Sequence, residues 1–348
     1  MNPRALGVLA LVTVAAVVAA VNLQWQRDAV LADGRRGELF VPGLTARTNE
    51  LTALTVTTPG WQADFRRSGD GFVDKSGYPV RLDTVRDLVA SLAVLVTEEA
   101  KTDKPARHAE LDLLEPQPGA PSGGQPQPAA AKAGVGKRIS LRVGEQSVLD
   151  LVIGKREPSV GGTRGGVYAR RHGDDATWLL RGAVDLPASR AAWFENRVLA
   201  VPGTDILSVR LGPAQDQAVL ERPPGDEPRL ALSNPPEGGE PDPARIRQLL
   251  QTLATLDFAD VRKAGDTPAG EPALTLVTLE GLQVRLYIVG REAKDKSVWV
   301  RIEADAASGK AGEALATLRE RTQGFEFLFS AQDAAVIGWS RKNLLSLG

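Results

Sequence analysis

The first pattern along the chain is an uninterrupted apolar run at residues 5–21, where Thr13 is the only polar side chain. As a helix, these residues would rise about 26 Å, close to the roughly 30 Å of a bilayer's hydrocarbon core. We therefore predict a transmembrane anchor over residues 1–25 and a juxtamembrane linker over residues 26–43. The small residues at 18–20 leave open a cleaved signal peptide as the alternative.

Two later stretches of the chain change from strand-like alternation to a helical period in the same order. Residues 51–56 and residues 206–211 each alternate with one apolar face, which is typical of a half-buried strand. A helix is predicted after each, beginning at Asp83 in the first stretch and at Asp242 in the second, where Pro243 suits the first helical position. The apolar positions of the two helices have the same spacing: Val85, Leu88, Val89, Leu92 and Leu95 in the first, and Ile246, Leu249, Leu250, Leu253 and Leu256 in the second.

Three further blocks repeat after the helices and keep their order. Residues 149–155 match 285–291, residues 167–170 match 298–301, and residues 193–199 match 339–345. We therefore predict an α+β fold with two tandem repeats, residues 44–200 and residues 201–348. Each repeat would pack an antiparallel sheet with one main helix and a short closing helix.

The two predicted repeats differ in one insertion each. The first contains a Pro/Gly-rich stretch at residues 115–136, which has no apolar period and is predicted to be a disordered loop. The second adds a charged helix near residues 311–321.

Composition narrows the classes of function. The 348 residues carry 42 basic and 43 acidic side chains, a balance that gives no field to attract a phosphate backbone, so we predict no nucleic-acid partner. Cysteine is absent, which excludes disulfides, thiolate ligands and a cysteine nucleophile. His108 and His172 are the only histidines, too few for a His-rich metal cage. We predict no metal site and no cofactor.

Short motifs that could carry chemistry favour structural interpretations. The glycine-rich residues 161–166 precede a strand pattern instead of the helix N-terminus of a phosphate loop, which favours a hairpin. The acidic residues 70–74 and 174–175 supply too few ligands for calcium and are interpreted as turns. Glu98, Glu99 and Asp103 lie among basic residues, which indicates a solvated charge run more than the acid pair of a glycosidase.

The remaining candidate residues are His108 and the aromatic side chains. His108 has no sequence partner for a triad and is predicted to pack over the turn at residues 111–113. Trp193 and Trp339 occupy equivalent positions in the matching blocks, as do Tyr168 and Trp299, which favours a core role over a sugar-stacking platform. We therefore predict no catalytic residue.

Several of these blocks also carry a family resemblance. They are residues 41–44 (Val-Pro-Gly-Leu), residues 102–113, residues 153–155 (Ile-Gly-Lys), residues 167–170 and residues 193–199. In this order, and after an N-terminal membrane segment, they resemble the bacterial family of domain of unknown function 4340. The resemblance implies a membrane-anchored envelope protein, of a kind often encoded beside an ABC-type exporter and a gliding-motility-type auxiliary protein. It implies no site residues, because none are established for the family.

We expect a single-pass protein of the bacterial inner membrane, with the bulk of the chain in the periplasm. Its expected role is that of a non-enzymatic accessory or binding module in an ABC-transporter-like envelope complex. The expected partners are an ABC-transporter permease or auxiliary membrane protein, and the membrane itself through residues 5–21. Two alternatives stay open: an envelope enzyme that acts on glycans or lipids through acids in a cleft between the repeats, and a structural spacer.

Overall fold

The computed structural model describes residues 36–117, 133–160, 162–223, 225, 229–237, 239–266, 270–308 and 311–346. The predicted membrane segment at residues 5–21 and most of the predicted disordered loop lie outside these residues. Within the described part, the helices are too short or too polar to cross a membrane.

The first half of the chain forms an eight-stranded sheet. Its strands are β1 Ala53–Thr57, β2 Gln62–Ser68, β3 Gly71–Asp74, β4 Val96–Ala100, β5 Lys137–Val143, β6 Gln146–Glu157, β7 Gly166–Arg171 and β8 Thr177–Arg181. They follow the order β3-β2-β1-β5-β6-β7-β8-β4. The alternation seen in the sequence sets the register, because buried Leu54 and Val56 lie opposite buried Leu141 and Ile139.

The second half forms a sheet with the same strand order. The strands of this half are β9 Arg197–Leu199, β10 Ile206–Leu211, β11 Ala218–Glu221, β12 Ala231–Leu232, β13 Leu256–Asp257, β14 Asp260–Lys263, β15 Leu274–Thr278, β16 Leu282–Arg291, β17 Val298–Ala306 and β18 Phe325–Phe329. The eight-stranded order is β12-β11-β10-β15-β16-β17-β18-β14, while β13 and β9 form a separate pair. Buried Val209 and Leu211 face Leu276 and Leu274, as Leu54 and Val56 face β5.

Five α-helices complete the described part of the chain. They are α1 Leu44–Arg47, α2 Leu82–Ala93, α3 Pro243–Ala254, α4 Gly312–Thr322 and α5 Ala331–Ile337. The two main helices and the charged helix predicted from the sequence are therefore confirmed. Asp242 caps α3, because its side chain accepts a hydrogen bond from the Ala244 N–H at 2.8 Å.

The prediction of large antiparallel sheets with few helices is confirmed, and two local predictions need correction. The block at residues 193–199 does not form a closing helix: a short 3₁₀ turn, Ala191–Trp193, is followed by strand β9. Glu98 and Glu99, interpreted from the sequence as part of a solvated charge run, lie half-buried on strand β4. Strand pairing explains both differences, because β9 pairs with β13 and β4 pairs with β8. Such pairing over long sequence separation has no local signature.

The two ends of the predicted loop at residues 115–136 are held in place. The Gly136 N–H donates to the Leu114 carbonyl at 2.9 Å, and Leu114 bridges to Val135. Glu115 forms an ion pair with Arg170 at 2.7 Å. The polar stretch therefore leaves and returns to the fold at fixed points.

The described chain divides into two compact units. Unit 1 holds its residues from 36–64, 83–117 and 133–186, and unit 2 holds those from 65–82 and 187–346. Residues 187–200, which the sequence assigns to the first repeat, group with unit 2.

Candidate functional site

A short segment ahead of each sheet repeats almost exactly in sequence, and it leads to the candidate site. Residues 39–43 read Leu-Phe-Val-Pro-Gly and residues 199–203 read Leu-Ala-Val-Pro-Gly. Each segment pairs with the chain just after a main helix, through Leu39 with Val96 and through Leu199 with Leu256. This block is not among the predicted repeats above, although a direct comparison of the two stretches reveals it.

In unit 2 this segment forms one wall of a groove of about 530 Å³. Residues 198–201 line that wall, and α4 lines the other with Ala314 and Leu318. Glu280 and Leu282, at the turn between β15 and β16, complete the lining. The volume lies within the roughly 300–1,000 Å³ of typical ligand pockets, and the lining combines apolar side chains with polar ones.

Arg321, near the end of α4, closes off part of the groove. Its guanidinium donates to the carbonyl of Glu195 at 3.2 Å and to the carbonyl of Arg197. It also hydrogen-bonds the hydroxyl of Tyr78. Burial raises the pKa of Tyr78 above its ordinary value of 10.0, against the opposing charge of Arg321, so this phenol stays neutral at physiological pH. Arg321 is thus committed to fixed acceptors of the fold.

Two carboxylates of the groove remain available to a ligand. Glu280 and Glu313 line the groove and are exposed. Within the described residues neither forms a salt bridge. The groove therefore carries two exposed carboxylates together with the guanidinium of Arg321.

In unit 1, an aromatic side chain occupies the position that is equivalent to Ala200 in the groove. Phe40, the counterpart of Ala200, packs with its ring 6.4 Å from that of Trp178, and the Arg171 guanidinium lies 4.9 Å from its centroid. Strands β7 and β8 are joined there by a short turn, whereas α4 lies between β17 and β18. Leu39 is accordingly 48% exposed while Leu199 is 4% exposed. A smaller side chain and an added helix thus distinguish the grooved unit.

The acids that the sequence suggested as catalytic candidates have cationic neighbours. Glu98 contacts Arg36 at 2.6 Å and Arg181 at 4.0 Å, and Glu99 contacts Lys101 at 2.6 Å. These carboxylates are therefore members of ion pairs, the arrangement expected of a charge run.

The two histidines have separate structural partners. His108 is buried, and its Nε2 lies 2.9 Å from the carbonyl of Asp175. His172 contacts Glu115 at 2.9 Å. The turn at residues 111–113 is tied to His108 by the Leu113 N–H, which donates to its carbonyl at 2.9 Å. Neither imidazole is placed beside a serine or threonine nucleophile by these contacts.

A buried ion cluster in unit 2 was not visible in the sequence. Asp74, interpreted there as part of a turn, has a side chain with no exposed surface, and it accepts hydrogen bonds from the N–H groups of Ser76 and Tyr78, each at 2.9 Å. Arg190 contacts Asp74 at 2.6 Å and also contacts Asp260. The cluster fixes the backbone of Tyr78, whose ring packs against four phenylalanines: Phe194, Phe258, Phe325 and Phe327.

An arginine at the same position of each matching block holds a neighbouring loop. In unit 1, Arg170 donates to the Leu113 carbonyl at 2.8 Å and to Glu115 at 2.7 Å. In unit 2, Arg301 donates to the Gly265 carbonyl at 2.8 Å and to Glu326 at 2.7 Å. The Val-x-x-Arg pattern that repeats in the sequence therefore marks a repeated structural contact.

Glu326 should make the stability of unit 2 sensitive to acid. Burial of the carboxyl opposes its charged form, but hydrogen bonds from Arg301, Arg262 and the Gly265 N–H outweigh burial and lower its pKa below the ordinary 4.5. A lowered folded-state pKa gives stability that is present above about 4.5 and is lost as pH falls through the folded value. Urea unfolding at pH 7 should therefore show Glu326→Gln less stable than the wild type, and this difference in the free energy of unfolding should narrow as the pH falls below about 4.5.

The control for this prediction is Glu320→Gln, on the exposed face of α4. The free energy of unfolding of Glu320→Gln should stay close to that of the wild type at every pH. If Glu326→Gln is less stable than the wild type by the same free energy at pH 7 and at pH 3, the lowered pKa of Glu326 is contradicted.

Fold and groove together define a protein built from two antiparallel sheets, with a ligand-sized groove in one unit. The family model described as "Domain of unknown function (DUF4340)" matches residues 72–301, which is 230 of the 348 residues. The chain belongs to this family. Comparison with curated proteins and with solved structures finds no significant match.

Proposed function

We propose that the protein is a non-enzymatic, membrane-anchored extracytoplasmic binding module of an ABC-transporter-like envelope complex. Its binding site is the groove between residues 198–201 and α4. The groove is the observation that carries the proposal, because its size and its mixture of apolar and polar lining residues suit a ligand. The shared strand order of the two sheets supports the further proposal that they are tandem repeats, of which one has become the binding unit.

Residues 5–21 hold the module at the membrane in this proposal. The 14 residues from 22 to 35 can span at most about 50 Å when fully extended, at roughly 3.3–3.6 Å per residue. The module consequently stays near the bilayer, where the extracytoplasmic face of a permease or of an auxiliary membrane protein is within reach. A membrane-tethered partner also gains from the high effective concentration that a short tether produces.

The cationic neighbours of Glu98 and Glu99 support a binding role over an enzymatic one. A glycosidase requires one carboxyl that holds a proton and one that is free to attack or to activate water. Glu98 instead contacts Arg36 and Arg181, and Glu99 contacts Lys101, so both carboxylates already have partners within the fold. An observed turnover of glycan or lipid by the purified protein would overturn this part of the proposal.

Capture of the full chain from native membranes tests the function directly. Wild-type protein is expected to recover an ABC-transporter permease or its auxiliary membrane protein. Ala200→Phe places at the groove wall the side chain that unit 1 has at this position, and it should reduce recovery at least tenfold, equivalent to about 1.4 kcal/mol. Quantitative mass spectrometry of the captured material gives the measurement.

Ala316→Phe is the matched control, because Ala316 lies on the exposed face of α4 and does not line the groove. It should leave recovery unchanged. Repeated failure to recover any transporter subunit with the wild type would overturn the proposed function. Equal recovery with wild type and Ala200→Phe would remove the groove from it.

A further inference from the structure

We infer that an aliphatic patch on unit 1, formed by Leu39, Val94 and Val96, lies against the lipid surface of the membrane that anchors the chain. The contact fixes the orientation of unit 1 to the bilayer. This inference rests on the membrane anchor of the proposed function, and it adds the surface that faces the lipid.

The patch forms where the start of the described chain meets the end of α2. Leu39 bridges to Val96, and the Phe40 N–H donates to the Leu95 carbonyl at 2.8 Å. Residues directly opposite each other in antiparallel pairing share a face, which brings Leu39 and Val96 side by side. Val94, which directly follows α2, is diagonal to Leu39, and diagonal neighbours in a regular ladder lie about 7–8 Å apart. The three side chains are therefore neighbours.

Two of these side chains are largely open to solvent. Leu39 is 48% exposed and Val94 is 49% exposed, while Val96 is half-buried. Single exposed apolar side chains are ordinary on a protein surface, whereas a group of them marks a place that another apolar surface covers.

Unit 2 has polar side chains at the matching positions. The chains that follow the two main helices align, so that Thr255 stands where unit 1 has Val94 and Asp257 stands where it has Val96. Thr255 is exposed too, and Asp257 forms an ion pair with Arg197 at 2.9 Å. The shared fold therefore does not require aliphatic residues here, and their presence in unit 1 belongs to a contact of that unit.

The path of the chain selects the membrane as the occupant. The apolar run at residues 5–21 is separated from Arg36 by the 14 residues from 22 to 35. Leu39 is the first exposed large apolar side chain of the described chain after this run. Because 14 residues span at most about 50 Å, the patch is within reach of the bilayer that residues 5–21 enter.

The tether makes a small contact sufficient. A few aliphatic side chains would not hold a free protein at a membrane, since even a whole myristoyl chain gives only marginal binding. A chain that is already anchored experiences a high effective concentration of the lipid surface, which lets a weak contact persist.

The charges beside the patch balance, so the contact depends on its aliphatic side chains. Arg36 and Arg181 share the carboxylate of Glu98, at 2.6 Å and 4.0 Å, and Glu38 is exposed next to Leu39. Two basic groups thus stand against two acidic ones. Long arginine side chains keep their charge at the level of the lipid headgroups while their stems cover apolar surface. Binding is therefore expected on neutral and on anionic lipid alike.

The absence of cysteine allows a single fluorescent reporter to be placed at a chosen residue. Glu38→Cys lies beside the patch, and Lys137→Cys on β5 is the reference; both residues are exposed. Lys137 lies five strand spacings from Leu39, about 24 Å at roughly 4.8 Å each. The full chain, labelled with the fluorophore NBD, is placed one per nanodisc of phosphatidylcholine and phosphatidylglycerol, with or without a lipid that carries a nitroxide high on its acyl chain.

The nitroxide should quench the Glu38→Cys reporter roughly twofold, because interfacial side chains lie about 5–10 Å into the headgroup boundary. It should leave the Lys137→Cys reporter nearly unchanged. Discs of phosphatidylcholine alone should give the same result.

Two pairs of substitutions make the test specific to the patch. Leu39→Ser combined with Val94→Thr, the residue that unit 2 has there, should abolish the quenching of the reporter at Glu38. Leu207→Ser combined with Leu279→Ser removes two other exposed leucines, both in unit 2, and should leave it unchanged. Circular dichroism of each variant confirms that it is folded.

The inference is overturned if both reporters are quenched equally, if neither is quenched, or if quenching survives Leu39→Ser with Val94→Thr or requires an anionic lipid. A reporter at Glu38 that is shielded from iodide in solution but not quenched by the nitroxide would also overturn it, in favour of a protein partner or a second copy of the chain.

Failure of the inference is distinguishable from failure of the proposed function. A chain that does not elute with the discs would remove the membrane anchor from the proposed function, and the inference with it. Elution with the discs without selective quenching would remove the patch alone. Selective quenching without any recovery of transporter subunits from native membranes would keep the lipid contact and remove the transporter assignment.

Discussion

Replacing Arg190 by methionine is expected to destabilise unit 2 by about 3–5 kcal/mol, because breaking a buried ion pair leaves an uncompensated charge. The Asp74 side chain has no exposed surface and that of Asp260 is 18% exposed. Methionine fills similar space but supplies no hydrogen-bond donor. Asp74 would keep the N–H groups of Ser76 and Tyr78 as its partners, which do not neutralise it. Urea unfolding of the detergent-solubilised chain, followed by far-UV circular dichroism, measures the change.

Two further variants make this prediction specific. Arg86→Met removes an exposed arginine that pairs with Asp83 at 3.9 Å, and it should cost no more than about 1 kcal/mol. Combining Asp74→Asn with Arg190→Met removes one of the stranded charges and should restore part of the lost stability. Equal losses for Arg190→Met and Arg86→Met would show that the buried cluster contributes nothing beyond a surface pair.

The consequence of Arg190→Met for binding follows from the contacts of Tyr78. The cluster fixes the Tyr78 backbone through Asp74, and the Tyr78 hydroxyl accepts a hydrogen bond from Arg321, which closes part of the groove. A variant that loosens the cluster should therefore also reduce the recovery of transporter subunits in the capture from native membranes. In this way a buried polar network positions a side chain of the groove without touching the ligand.

Replacing Trp193 by alanine is expected to cost about 3–5 kcal/mol, the usual range for truncating a large buried aromatic side chain. Trp193 has no exposed surface, and its ring lies 5.0 Å from that of Phe65. The cavity left behind would be lined by apolar groups that cannot close around it without shifting strands. The midpoint of urea unfolding measures the loss.

Trp193→Phe is the matched comparison. It keeps an aromatic ring and removes the indole N–H, which has no hydrogen-bond partner within the described residues. Its cost should be well under half that of Trp193→Ala. If the two substitutions are equally destabilising, the effect comes from something other than the cavity.

The two units combine one strand order with different side chains at an equivalent position. Phe40 fills its place in unit 1 by packing with Trp178 and Arg171, whereas Ala200 leaves the equivalent place open to the groove. Helix α4 then provides the second wall. An insertion between two strands of an antiparallel sheet is tolerated because it extends a connection without changing the pairing, so a groove can be added to a repeat at little cost to its fold.

Local physical chemistry explains what the sequence alone determined. The periods of 2 and 3.6 residues placed the strand at Leu54 and the helices after Asp83 and Asp242, because a half-buried element must present apolar residues at its own repeat. The order of the matching blocks predicted a sheet of the same kind in each half. The family assignment, over residues 72–301, also needs only the linear pattern of the chain.

The tertiary structure alone decided which distant residues meet. Glu98 lies in a strand because β4 pairs with β8, and residues 197–199 form a strand because they pair with β13. Asp74 is a buried anion whose cationic partner, Arg190, lies 116 positions away in the sequence. The groove likewise depends on Ala200 and α4 lying side by side. Contacts at such separations depend on how whole elements pack, and a hydrophobic period describes one element at a time.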